Sequence, residues 1–191
     1  MLKYLECGRM VCGGMAKRIL IMESDSFGRR SNRSDKMLEI YRQLKKDRGY
    51  KVCIFGKAQK GIPKTDCINR SGLYRTRFDA IILGSLKDAM YIKTYRLFNR
   101  GDSTRYIYVD NSGTVSELLS KKISRLLPSG LVRWNLFLNL SAWLDSYIAM
   151  SSEERRLAEE HFDGVGTKVH TAGGSRPLQL AMACRHAIRR S

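Results

Sequence analysis

Four short, uninterrupted apolar runs constrain this chain more than any other feature: Ile19-Leu20-Ile21-Met22, Val52-Cys53-Ile54-Phe55, Ala80-Ile81-Ile82-Leu83 and Tyr106-Ile107-Tyr108-Val109. A strand with one face in water alternates apolar and polar residues, whereas a strand covered on both faces is apolar throughout. These runs therefore predict parallel strands sandwiched between helices. The spacing agrees, because Ser34 to Arg48 carries Met37, Leu38, Ile40, Tyr41 and Leu44 at helical intervals between the first two runs. Ser34 is placed to cap that helix and Gly49 to end it. A strand, helix, strand unit of this length is a right-handed parallel crossover.

The pattern continues along the chain. Residues 57–77 show little periodicity and read as a loop with at most one weak strand or turn. A helix is expected from Asp88 to Phe98 after the third strand, and another from Val115 to Leu127 after the fourth, stopped by Pro128-Ser129-Gly130. A further helix is expected from Leu131 to about Asp145. Ser146 to Met150 reads as a strand and Ser152 as the cap of a helix with Glu153 and Glu154 in its first turn. Lys168 to Thr171 reads as the last strand. The fold class expected is α/β: a Rossmann-like, predominantly parallel sheet with helices on both faces. Three segments follow: a flexible leader over 1–16, the Rossmann-like domain over 17–174, and a basic helical tail over 175–191 with no clear place in the sheet.

Charge narrows the range of partners. Thirty-five Lys and Arg against 18 Asp and Glu give +17, an excess that suits polyanions such as nucleic acid, anionic headgroups or phosphorylated substrates. Residues 29–77 alone hold 15 basic and four acidic residues. The five cysteines are odd in number and scattered, which argues against a secreted disulfide framework and for the reducing cytoplasm. No apolar run reaches the length of about 18 residues that a membrane span requires.

The strand-to-helix turn Glu23-Ser24-Asp25-Ser26-Phe27-Gly28-Arg29-Arg30 lies where open α/β sheets bind ligands. Its single glycine fits neither a dinucleotide fingerprint nor a P-loop. A phospho-acceptor receiver domain would need an Asp after the third strand, where Gly84-Ser85 stand. His161, His170 and His186 lack ligand spacing and no Cys-x-x-Cys occurs, so neither a metal site nor a cofactor is expected. No nucleophile elbow is present. Aromatics within the basic stretch, Tyr41, Tyr50, Phe55 and Tyr74, suit base stacking in single-stranded nucleic acid, although most fall at core positions. Trp134, Phe137, Leu138 and Trp143 lie near Lys121, Lys122, Arg125 and Arg133, a combination found both in helices lying on anionic membranes and in buried helices.

The order of elements from Lys17 to Gly174 resembles the N-terminal, acceptor-side domain of the GT-B glycosyltransferases, especially the large retaining family of mannosyl- and glucosyltransferases. The resemblance rests on the opening strand Lys17 to Met22 with its loop, on Phe78-Asp79-Ala80-Ile81-Ile82-Leu83, and on Leu144 to Glu154. Lys168-Val169-His170-Thr171-Ala172-Gly173-Gly174 resembles the strand and turn that lead toward the second domain. The chain departs from that family in lacking the donor-binding C-terminal domain, so the resemblance implies half an enzyme, completed by a partner subunit or a further domain.

The resemblance also implies a cleft at the carboxyl ends of the strands. Ser26, Phe27, Gly28 and Arg29 follow the first strand, Gly84 and Ser85 the third, Asp110 and Asn111 the fourth, and Ser151 the fifth. Asp110 is the acid placed to assist an acceptor, and Arg29 and Arg30 the pair placed to hold phosphate. The implied partners are a nucleotide sugar and a glycan or lipid acceptor, with an anionic membrane surface on the cytoplasmic side. The alternative from another class is a noncatalytic basic α/β domain that binds nucleic acid or scaffolds a partner.

Overall fold

The computed structural model describes residues 16–23, 34–56, 61–99, 103–110, 114–120, 128–173 and 176–189. Its strands are β1 (Lys17–Met22), β2 (Tyr50–Phe55), β3 (Cys67–Ile68), β4 (Ala80–Leu83), β5 (Arg105–Val109), β6 (Ser146–Ala149) and β7 (Lys168–Thr171). They form one sheet in the order β3-β2-β1-β4-β5-β6-β7, and every neighbouring pair is parallel. The helices are α1 (Ser34–Lys45), α2 (Arg70–Arg75), α3 (Asp88–Phe98), α4 (Thr114–Leu119), α5 (Pro128–Ser141), α6 (Ser152–Phe162) and α7 (Pro177–Arg189). The Rossmann-like α/β architecture expected from the apolar runs is the observed one. The leader over 1–15 lies outside the described residues.

Alternate residues of each central strand serve two cores, as the period of two requires. Leu20, Met22, Ile81, Leu83, Tyr106, Tyr108 and Tyr147 point to one face, where they pack with Leu73 of α2, Ile92 and Tyr95 of α3, Leu118 of α4, Phe137 and Leu140 of α5, and Phe162 of α6. Ile19, Ile21, Ile82, Ile107, Val109 and Ile148 point to the other, against Met37, Ile40 and Leu44 of α1 and Leu180, Cys184 and Ile188 of α7. Among the described residues, five helices thus cover one face and two the other.

Aspartates set the amino edge of the sheet. Asp79, just before β4, accepts the Arg18 backbone N–H on its carboxylate at 2.6 Å, and Asp145, just before β6, accepts that of Tyr106 at 2.7 Å. Each also continues the ladder through its own backbone, Asp79 N–H to the Arg18 carbonyl and Asp145 N–H to the Tyr106 carbonyl, both at 2.9 Å. At the β3 edge, Asp66 accepts from Tyr41 and Lys45 of α1, which ties the short strand to the helix.

Several elements differ from the sequence expectation. The stretch read as a loop contains α2, a helix too short for periodicity to reveal; Asn69 caps it, accepting the Gly72 N–H at 2.8 Å, and Leu73 anchors it. Pro128 opens α5, three residues before the expected start at Leu131, because the first turn needs no N–H from its residues. The preceding helix is described as far as Leu119; 121–127 lie outside the described residues. Ser151, not Ser152, caps α6: its backbone is extended and its hydroxyl accepts the Glu154 N–H at 3.1 Å.

The tail required the largest correction. It does have a place in the sheet, because Leu180, Ala181, Cys184, Ala187 and Ile188 recur at helical spacing and bury α7 against α1 and the second face of β5, β6 and β7. Its arginines are tethers. Arg185 donates to the Gln43 carbonyl, and Arg189 donates to the Tyr50 hydroxyl at 3.3 Å and pairs with Asp47 at 3.1 Å. Arg105 and Lys17 in turn donate to the Ala187 and Ile188 carbonyls at the C-terminal end of α7, where cations complement the helix dipole. Burial holds the Cys184 thiol protonated, with its pKa pushed up to about 12. Leu180→Ala is expected to cost about 3 kcal/mol of stability through lost burial and the cavity left behind, measured by urea denaturation; a loss below about 0.5 kcal/mol, the range of surface substitutions, would contradict this packing.

Candidate functional site

The connections leaving β1 and β4 diverge. From β1 the chain crosses to α1 on one face, and from β4 it crosses to α3 on the other. The two strands are neighbours, so their carboxyl ends flank the topological switch point, where an open parallel sheet leaves a crevice. Glu23 follows β1, Gly84 and Ser85 follow β4, Asp110 follows β5, and Met150 and Ser151 follow β6. Of the residues singled out from the sequence, Ser85, Asp110 and Ser151 therefore stand along one edge of the sheet. Ser26, Phe27, Gly28, Arg29, Arg30 and Asn111 lie outside the described residues.

Gly84 is where close packing requires a glycine. Its N–H extends the ladder to the Met22 carbonyl at 2.9 Å, and a Cβ there would stand 3.0 Å from the terminal methyl of Met37 on α1. The absence of a side chain lets α1 approach the end of β4. Ser85 begins a tight turn into α3: its N–H donates to the Asp88 carboxylate at 3.1 Å, and the Asp88 N–H donates to the Ser85 carbonyl at 3.1 Å.

Sequence reasoning missed that the acids along this edge are buried. Glu23, Asp88, Asp110 and Glu154 are all buried, beside the buried tyrosines Tyr108 and Tyr147, whose rings stack with centroids 5.8 Å apart. Asp110, expected to assist an acceptor, is wholly enclosed and accepts the Ser116 N–H at 2.8 Å, an N-terminal cap for α4. Glu154 accepts the Tyr147 hydroxyl at 2.7 Å and the Met150 N–H at 3.0 Å, while its own N–H goes to Ser151. This is a capping box displaced by one residue. Ser151 thus has a structural task that its position after a strand did not reveal. The capping spacing from Ser151 to Glu154 was the available signal.

Electrostatics at this edge follow from burial. Desolvation pushes both phenols well above the ordinary tyrosine range; the charge of Asp110 adds to this for both, and that of Glu154 as well. Both phenols are thereby held toward the protonated form, in which Tyr147 donates to Glu154. Desolvation also raises the Glu154 carboxyl, an effect its hydrogen bonds from Tyr147 and Met150 oppose. Among the described residues, no group of three or more His, Cys, Asp or Glu side chains is arranged to hold a metal ion, and no helix is long and apolar enough to cross a membrane. The described cysteines, Cys53, Cys67 and Cys184, are free thiols. No protein-family model matches the sequence, and no curated protein is similar to it at a significant level.

The raised Glu154 carboxyl has a defined consequence for stability. The folded chain holds this proton more tightly than the unfolded chain, so stability is greater while Glu154 is protonated and falls as pH rises through the range just above the ordinary glutamate value. Comparing wild type with Glu154→Gln by urea denaturation between about pH 4 and 7 isolates this contribution, since only the wild type carries the titrating group. The gap should shift steadily in favour of the variant as pH rises. A gap independent of pH would show that Glu154 titrates alike in both states.

Proposed function

We propose that this chain is a glycosyltransferase-like domain that contributes the acceptor side of sugar transfer from a nucleotide sugar. It would work with a donor-binding domain or partner subunit, in the cytoplasm at the membrane face. The observation that carries this reading is the topological switch point between β1 and β4, with Gly84 and Ser85 at the end of β4 and buried acids and tyrosines farther along the same carboxyl edge. Such a switch point is where sheets of this topology take their ligands. The Ser85 side chain at this end of β4 is a hydroxyl, a group that suits the hydroxyls of a sugar.

Asp110 enters this proposal as the buried acid at the carboxyl end of β5, the strand beside β4. Its hold on the Ser116 N–H fixes the start of α4, so the carboxylate positions this wall as well as supplying a candidate base. Asn retains the capping oxygen but not the basicity. In a system reconstituted with a donor domain, Asp110→Asn should therefore lower turnover by at least about a hundredfold with little loss of stability if the carboxylate takes the acceptor proton. Unchanged turnover would assign Asp110 to capping alone.

The basic excess of the chain supports a second reading, a module that binds nucleic acid through phosphate contacts. Calorimetric titration separates the two. Glycan and lipid-linked acceptors should bind with weak salt dependence, and Ser85→Trp, which fills the rim of the crevice, should weaken them at least about tenfold. Absence of binding to any acceptor or nucleotide sugar, together with single-stranded RNA binding that falls steeply with salt, would replace the first reading by the second.

A further inference from the structure

We propose that the outer face of α3 and α5 is a docking surface for an anionic lipid bilayer. The assignment gives the membrane-facing side of the molecule a location, and it rests on this surface alone, independently of the sugar-transfer reading.

Helix α5 is apolar around most of its circumference. Phe137 and Leu140 face the core, while Leu131, Val132 and Leu138 face solvent. A helix apolar on both sides is ordinarily buried on both sides or set against lipid. Its neighbour α3 continues the surface with Met90, Leu97 and Phe98, the last 69 % exposed, and the Phe98 ring lies 5.5 Å from that of Tyr74 on α2. Nine large hydrophobic side chains are exposed among the described residues, and six of them are on these two adjacent helices. Single exposed apolar residues are ordinary on a protein surface; a concentration of them on neighbouring elements marks an interaction site.

Charge identifies the occupant. Helices α2, α3 and α5 carry Arg70, Arg75, Lys93, Arg96 and Arg133, and their one acid, Asp88, is buried. The contrast with α6 is direct, since its arginines pair with its own glutamates, Arg155 with Glu159 and Arg156 with Glu160. A second copy of the chain is a poor partner for the α3 and α5 face, because docking it on itself would set these cations against one another. Nucleic acid would satisfy the cations but leave Met90, Leu97, Leu131, Val132 and Leu138 without apolar contact. An anionic bilayer satisfies both: phosphate headgroups meet the basic side chains, and the aliphatic groups and Phe98 reach the acyl boundary. Trp134 and Trp143, half-buried on and just after α5, have the amphipathic rings that favour this depth, and the Arg96 guanidinium lies over the Trp143 ring.

The test is co-sedimentation of the full chain with vesicles of phosphatidylcholine containing about one-third phosphatidylglycerol, against vesicles of phosphatidylcholine alone. Wild type should bind the mixed vesicles and not the neutral ones. Replacing Leu97, Phe98, Leu131 and Leu138 together by Gln should weaken binding at least about tenfold, as should Lys93→Glu with Arg133→Glu. These side chains are exposed, so circular dichroism and the urea midpoint should stay near those of wild type. Val165→Gln with Met182→Gln, which removes exposed apolar groups elsewhere, should leave vesicle binding unchanged. Binding that survives the four Gln substitutions would overturn the proposal. So would capture of single-stranded RNA by a wild-type chain that ignores the mixed vesicles. Acceptor titration at Ser85 requires no vesicles, so the two proposals can fail separately.

Discussion

The architecture depends on strands that are apolar on both sides. A strand such as Ile19-Leu20-Ile21-Met22, with all four residues excluded from solvent, cannot lie at the surface of anything. Each such strand demands helix above and helix below, and the connections alone do not provide this evenly. Among the described residues, the helices following β4, β5 and β6 all lie on one face, while the other face receives only α1 from the connections between strands. The bare second face of β5, β6 and β7 is what draws α7 back across the molecule beside α1. Hydrophobic burial on this face therefore links the last helix described to the first.

Acidic residues are few in this chain, and five of the described ones at the two edges of the sheet have structural tasks. At the amino edge, Asp79 and Asp145 hold backbone N–H groups of neighbouring strands. At the carboxyl edge, Asp88, Asp110 and Glu154 hold those at the starts of turns and helices. An N–H left unsatisfied in a buried setting costs more than an average hydrogen bond contributes, so these carboxylates determine where elements may begin. Their concentration at the carboxyl edge has an electrostatic by-product. Burial and these charges disfavour ionisation of Tyr108 and Tyr147, and a strongly basic protein holds a locally acidic interior at this edge of its sheet.

The strands and longer helices were legible because burial on two faces and helical spacing both leave periodic marks. The parallel order followed from crossover length, and the position of the crevice from the order. Helix α2 was not legible, since six residues with one buried leucine make no period. The placement of α7 was missed for a different reason: the density of arginine in 175–191 suggested a solvated tail, whereas the Leu180, Cys184 and Ile188 stripe carried the packing information. At the site, Ser85, Asp110 and Ser151 were correctly placed at strand ends, but capping geometry depends on the φ and ψ of single residues. That is why the structural work of Asp110 emerges only from the folded chain, whereas that of Ser151 left a mark in its spacing from Glu154.

The return of α7 also has a consequence for biosynthesis. Chain order puts it after all seven strands, so a ribosome delivers a nearly complete sheet before the segment that covers half of one face. Until that helix emerges, Ile107, Val109 and Ile148 remain open to water and to other nascent chains. The interval is one in which a holdase chaperone would find an apolar surface, and the emergence of α7 closes it.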